Sequence, residues 1–218
     1  MHGVVLKRLG HNVHILERNL SLDGQAAGIV AKENVQELLK HHDASGRPWS
    51  IVAPGLQFLD AKQNVKTFWK MVLPMTSWNV LYYRLRANFN GVKGIGCPEL
   101  SESVGKVVYE QGKTVTDITY TDGHITVDFD NVVDGGGGSL HAGLVLAADG
   151  STSRIRQQML QTGLQRQYAG YVAWRGIVPE REISEETRKV FSDRASLHVM
   201  KRSYIAMLDI HSLEYKLI

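Results

Sequence analysis

The stretch Leu144 to Arg156, LVLAADGSTSRIR, constrains this chain more than any other. Leu144 to Ala148 has the composition of a strand buried in a sheet. Asp149-Gly150 then turns the chain, and Ser153 stands where its hydroxyl can cap a following helix. A strand that delivers a carboxylate and a glycine to the start of a helix is a unit of α/β domains. An isolated Asp-Gly does no more than turn a chain, so the weight of the pattern depends on its surroundings.

Those surroundings alternate in the same way. His2 to Leu9 reads as the last turns of a helix, with Val4, Val5 and Leu9 on one face and Gly10 at the position that ends it. Asn12 to Leu16 reads as a short buried strand. A helix that opens at Met1 points to a domain whose first strand lies upstream. Asp23 to Val30 is a small-residue loop, and Lys32 to His42 a helix with Val35, Leu38 and Leu39 together. Trp49 to Phe68 holds apolar runs around a Pro54-Gly55 turn, expected as a strand and a helical or irregular stretch.

Ser77 to Phe89 is a helix capped by Thr76 or Ser77 and closed by Asn90-Gly91. Lys106 to Asp130 changes to strands, with Asp122-Gly123 as a hairpin turn. Asp134 to Ser139, DGGGGS, is expected to be a mobile loop. Composition shifts again at Tyr168, where YAGYVAWRGIVPE reads as the first strand of a new sheet. A helix capped near Ser184 and strands at Leu197 to Met200 and Tyr204 to Leu208 follow. The expected fold is α/β: a partial Rossmann-like domain over residues 1–166 with a β-hairpin insertion, then the start of an α+β domain over 167–218.

At 218 residues, 43% of them apolar, the chain can bury a core. Its 25 basic and 22 acidic residues are spread along its length, without the basic stripe that nucleic-acid binding requires. Lys7 and Arg8 interrupt the apolar start before a signal or membrane segment could form, so no membrane association is expected. One cysteine, Cys97, excludes an internal disulfide framework and fits a reducing compartment, with cytosol as the default.

Glu17 is the first residue with a chemical reading. An acidic residue ending the second strand of a dinucleotide-binding unit accepts hydrogen bonds from the adenosine ribose, about 20 residues beyond a glycine loop. Counting back from Glu17 lands before Met1, so the loop that would hold a pyrophosphate is expected to be missing and dinucleotide binding by the chain alone weak or absent. Gly91, Gly94 and Gly96 have the wrong order and follow a helix; Gly135 to Gly138 lack a following helix. Both read as turn glycines.

The order strand, Asp149, Gly150, Ser153, Arg156 closely resembles the internal Asp-Gly motif of class A flavoprotein monooxygenases. KRLGHNVHILER resembles that family's first helix end and second strand, with Glu17 at the ribose place and Arg18 beside it. Ala26 to Ile29, containing Gly28, resembles the backbone passing near the flavin. Thr76 to Gly91 resembles the cleft helix of the branch related to 2,6-dihydroxypyridine hydroxylase, and Tyr168 to Glu180 the first strand of its substrate domain. The tail from Asp209 departs from the pattern, and the family's later Gly-Asp motif would lie beyond Ile218.

The resemblance implies FAD as cofactor, NAD(P)H as co-substrate, and hydroxylation of a small aromatic or hydroxypyridine-type ring. It implies Glu17, Arg18, Gly28, Arg86, Asp149, Gly150 and Arg156 as cofactor-binding residues, with no side chain acting as acid or base. A rival expectation is a remnant or interaction module that keeps the fold without flavin. Arg84 and Arg86 both could reach phosphates or face solvent, with the family pattern favouring Arg86. His41-His42-Asp43 lacks metal-ligand spacing and reads as a helix end, so no metal is expected. Trp174 and Arg175 border a substrate pocket or pack in a core.

Overall fold

The computed structural model describes residues 1–21, 28–60, 62, 64–93, 105–160, 167–172, 178–191, 195–199 and 204–208. Helices and strands mix as the α/β reading requires, in two compact units: Met1–Val13, Asp23–Val107 and Arg175–Ile218 form one, His14–Leu22 and Val108–Trp174 the other. Neither unit is a single stretch of chain. No described helix is long and apolar enough to cross a membrane.

The chain opens with α1 (His2–Arg8) and β1 (Val13–Glu17), and continues through β2 (Gly28–Val30), α2 (Glu33–His42), β3 (Ile51–Leu59), β4 (Val65–Ser77) and α3 (Trp78–Asn90). After α3 come β5 (Val107–Gln111), β6 (Lys113–Thr121), β7 (His124–Asn131) and β8 (Gly137–Ala142). The remaining elements are α4 (Arg154–Leu160), α5 (Glu185–Phe191), β9 (Ala195–Val199) and β10 (Tyr204–Leu208).

In the first unit a mixed sheet runs in the order β10-β9-β3-β4-β2, with β3 parallel to β9 and every other pair antiparallel. Its core is Ala53 and Met75 with Ile51, Leu56 and Leu73 packed around them. The expected Pro54-Gly55 turn is instead a bulge inside β3, where the register jumps from Ala53 opposite Leu73 to Gly55 opposite Lys70. Proline has no N–H for the ladder, which suits a bulge. Gly55 is required there because a Cβ would sit 2.3 Å from the Trp69 carbonyl oxygen. The stretch thought helical or irregular therefore belongs to a hairpin.

Between β3 and β4, Asp60 N donates to Asn64 O at 3.0 Å. Asp60 Oδ1 accepts from the backbone N–H of Lys62 at 2.8 Å and of Asn64 at 2.9 Å, and Lys66 Nζ lies 3.2 Å from Oδ2. The Asn64 hydrogen bond is the main reason the Asp60 carboxyl is held down to about 2 from its ordinary 3.8.

α3 forms where the helical spacing places it. Ser77 Oγ accepts from Val80 N at 3.1 Å, and Gly91, at φ 71°, closes the other end by donating to Ala87 O at 3.0 Å. α1 packs against α3. Val4 of α1 is buried as expected, but Leu9 is 69% exposed and Lys7 takes an inward place, its Nζ donating to Phe89 O at 2.6 Å. A carbonyl in the last turn of a helix satisfies the buried ammonium.

In the second unit β1 pairs with β5, and His14 Nε2 meets Glu110 Oε2 at 2.5 Å across them. The Asp122-Gly123 turn joins β6 to β7 with φ values of 48° and 81°, the left-handed pair that a two-residue hairpin needs. The DGGGGS segment is not a mobile loop throughout: Gly137 to Ser139 belong to β8, antiparallel to β7. Gly138 lies opposite Phe129, whose ring occupies the space a Cβ would take, at 2.5 Å. An aromatic ring covering a strand glycine is a known way to pin register.

Two strand expectations fail. Leu144 to Ala148 forms no strand, and Leu144 and Leu146 are 63% and 52% exposed. Of the strand expected from Tyr168, the described residues 168–172 carry none, and Tyr168, Tyr171 and Val172 are exposed. Apolar composition raises the value of pairing, but a strand forms only where a neighbour offers a hydrogen-bonding edge. The expected loop's residues 23–27, together with Gly94, Gly96, Cys97, Trp174, Arg175 and the tail from Asp209, lie outside the described residues.

Candidate functional site

The Asp-Gly turn is built as the sequence suggests even though its strand is not. Gly150 adopts φ 80°, a left-handed conformation that costs a side-chain-bearing residue about 1 kcal/mol or more. Ser153 N donates to Gly150 O at 3.3 Å, and the buried Ser153 hydroxyl accepts from Arg156 N at 2.9 Å, capping α4. Asp149 Oδ2 accepts from Ile155 N at 3.4 Å. Arg156 Nη2 returns to Ser151 O at 2.8 Å. Asp149, Gly150, Ser153 and Arg156 are thus brought together by a single turn.

The charge on Asp149 is favoured by that turn. Burial pushes its carboxyl up, but hydrogen bonds from Ser153, Ile155, its own N–H and Arg154 outweigh this and hold it below the ordinary 3.8. α4 is fixed to β6 by Gln158, whose Nε2 donates to Ile118 O at 3.3 Å and to the Asp117 carboxylate.

Glu17 ends β1 in the same unit, half-buried, with Oε1 accepting from Asn19 N at 2.9 Å. That bond turns the carboxylate across the strand end, where it can accept from a hydroxyl. Arg18 follows, exposed. Glu17 thus presents a carboxylate at the end of β1, and the Asp149 turn presents a left-handed glycine and an arginine.

Gly28 and Arg86 belong to the first unit. Gly28 opens β2 opposite Ser77, the residue that caps α3. Arg86 sits on α3 between Tyr82 and Asn90, donating from Nη1 to Tyr82 Oη at 2.5 Å and from Nε to Asn90 Oδ1 at 3.2 Å.

The other candidate, Arg84, is fully buried and committed elsewhere. Its Nη1 lies 3.1 Å from Asp43 Oδ2 and also meets Ser45 Oγ, and its Nη2 donates to Pro48 O at 2.9 Å. Asp43 is therefore half of an ion pair, and His41 pairs with Glu37 at 3.2 Å, one helical turn back. Sequence reasoning missed Tyr82 and Asn90 as partners of Arg86. The four-residue spacing of Trp78, Tyr82, Arg86 and Asn90 was the available signal.

Comparison with known proteins gives likenesses in sequence and fold. Residues 168–214 match a family model described as FAD binding domain-like, beginning at the composition shift at Tyr168. The chain is 22% identical to the 2,6-dihydroxypyridine 3-monooxygenase of Paenarthrobacter nicotinovorans, a match covering 97% of this chain and 48% of that protein. Among solved structures, 2,6-dihydroxypyridine-3-hydroxylase from Arthrobacter nicotinovorans superposes with a TM-score of 0.72 at 22% identity, over 94% of this chain and 47% of the other.

A tetracycline destructase is similar with a TM-score of 0.56 at 15% identity, over 97% of this chain and 51% of the other. p-Nitrophenol 4-monooxygenase from Pseudomonas putida DLL-E4 reaches 0.52 at 18% identity, over 72% and 39%. The chain spans about half the length of the curated relative it matches. It is homologous to 2,6-dihydroxypyridine 3-monooxygenase and carries the fold of the class A flavin monooxygenases over about half their length.

Proposed function

We propose that this chain is part of an FAD- and NAD(P)H-dependent monooxygenase acting on a small aromatic or hydroxypyridine-type ring, and that these 218 residues alone hold FAD weakly. The observation that carries the reading is the Asp149 turn, in which Gly150, Ser153 and Arg156 occupy one hydrogen-bonded element. Glu17 is read as the ribose acceptor, with Arg18 beside it. Asp149 and Gly150 shape the backbone that approaches the cofactor, and Arg156 meets a phosphate. Residues 1–166 are assigned to cofactor binding and 167–218 to the start of a substrate domain. A cytosolic location belongs to the same reading.

Bound FAD would supply the redox and oxygen chemistry, and the polypeptide the orientation and exclusion of water. On this reading none of the named residues exchanges a proton with the substrate. Arg156, with Nη2 on Ser151 O, keeps a permanent charge for an anion, and Glu17 offers its carboxylate to hydroxyl donors.

The reading is tested by incubating the protein with FAD and NADPH under oxygen. 2,6-Dihydroxypyridine and p-nitrophenol serve as probe rings, the substrates named for the relatives above. Flavin bleaching by NADPH and ring-dependent NADPH consumption are expected. Bound flavin that NADPH never bleaches would overturn the NAD(P)H assignment while leaving the cofactor site intact.

A further inference from the structure

β6 carries an irregularity where α4 meets it. Val115 lies opposite Phe129 and Asp117 opposite Asp128, so two residues of β6 pass for one of β7 and Thr116 is a bulge. Residues two apart on a regular strand share a face, so the bulge is what sends Val115 and Asp117 to opposite faces. Asp117 thereby stands across the ladder from a second carboxylate, an arrangement that on its own repels. The Asp117 carboxylate accepts from Gln158 Nε2 of α4, which also donates to Ile118 O at 3.3 Å.

α4 needs such a seat. It has seven residues, none of them buried, and an isolated helix shorter than about 12–15 residues is marginal in water. Its first turn supplies the N–H of Ile155 to Asp149 and that of Arg156 to Ser153, so fraying of α4 opens the Asp149 turn itself. We propose that Asp117 and Gln158 are positioning residues: by seating α4 on β6 they keep Asp149, Ser153 and Arg156 in the one turn read above as part of the flavin site. The role rests on that reading and adds to it two residues outside the turn, all within the second unit.

The test follows the Asp149 carboxyl by NMR across acid pH and FAD by fluorescence titration. Both are run on the wild-type chain, Asp117→Ala, Asp117→Asn, Gln158→Leu and Asp149→Ala, with Tm recorded for each. Loss of the Asp117 charge alone would lower the Asp149 midpoint, because a nearby negative charge disfavours ionisation. Fraying of α4 acts the other way, since it removes hydrogen bonds that favour the Asp149 carboxylate.

Asp117→Ala and Gln158→Leu are therefore expected to raise the midpoint and to weaken FAD binding roughly three- to tenfold, the range for losing one hydrogen bond. Asp117→Asn keeps an oxygen acceptor for Gln158 and is expected to stay near wild type in both. Tm is expected to change little in Asp117→Ala, which also relieves the repulsion from Asp128. Midpoints unchanged or lowered in both Asp117→Ala and Gln158→Leu would overturn the positioning role, whatever FAD does. Raised midpoints with wild-type FAD affinity in these variants and in Asp149→Ala alike would overturn the flavin reading of the turn instead.

Discussion

Arg84 Nη1 lies 3.1 Å from Asp43 Oδ2, joining α3 to the loop that leaves α2 across 41 residues of sequence. Both side chains are out of water, at 0% and 6% exposure. Asn88 closes the arrangement, donating from Nδ2 to Asp43 Oδ1 at 2.8 Å and accepting from Ala44 N at 2.8 Å. The loop is thereby fastened to the helix that carries Arg86.

Removing one partner strands the other as an unpaired buried charge, which costs about 3–5 kcal/mol. Arg84→Met and Asp43→Ala are each expected to lower unfolding free energy by that order in urea titrations. A loss under about 1 kcal/mol in both would mean the pair is dispensable.

The Asp149 turn gives an acid limit. Because its folded carboxyl is held below the ordinary 3.8, the stabilisation is fully present above that value and is lost as pH falls through the lower folded value. Carboxyl NMR is expected to place the Asp149 midpoint below 3.8. Ser153→Ala, which removes both a donor to Asp149 and the α4 cap, is expected to raise that midpoint. A wild-type midpoint above the ordinary value would show that burial outweighs the hydrogen bonds.

Gly55→Ala is expected to destabilise the first unit by about 1–3 kcal/mol, as overpacking against rigid atoms does. The added Cβ would meet the Trp69 carbonyl oxygen at 2.3 Å and Phe68 Cζ at 2.7 Å. Gly143→Ala is the control, since nothing lies within 4 Å of its Cβ position. Equal melting temperatures for the two variants would contradict the bulge geometry.

Exposed apolar side chains set the solution behaviour. Trp69, Val72, Leu144 and Leu146 are 56%, 75%, 63% and 52% exposed. Apolar surface on an unpaired edge favours self-association. Val72→Lys with Leu146→Lys is expected to reduce light scattering at high concentration with little change in Tm. A wild-type chain that stays monodisperse under the same conditions would argue against this.

What the sequence made legible was local. Ser77, Gly91 and Asp122-Gly123 act through hydrogen bonds and φ values within a few residues, so their roles could be read directly. The Asp149 to Arg156 turn was legible for the same reason. Leu144 to Ala148 was misread because apolar composition cannot say whether a neighbouring edge exists. Pro54-Gly55 was misread because a bulge is defined by the opposite strand, and Gly138 because its partner is the Phe129 ring. The Arg84–Asp43 pair, which separates a structural arginine from Arg86, spans too much sequence to leave any periodic signal.

The most direct measurement is a titration of the purified chain with FAD, read by flavin fluorescence and by the absorbance of flavin retained after gel filtration. Weak but saturable binding is expected, with Glu17→Ala and Asp149→Ala each weakening it further by roughly tenfold, as loss of an engaged charged group does. A wild-type chain that shows no saturable binding, or variants that bind as tightly as wild type, would contradict a flavin site built from β1 and the Asp149 turn.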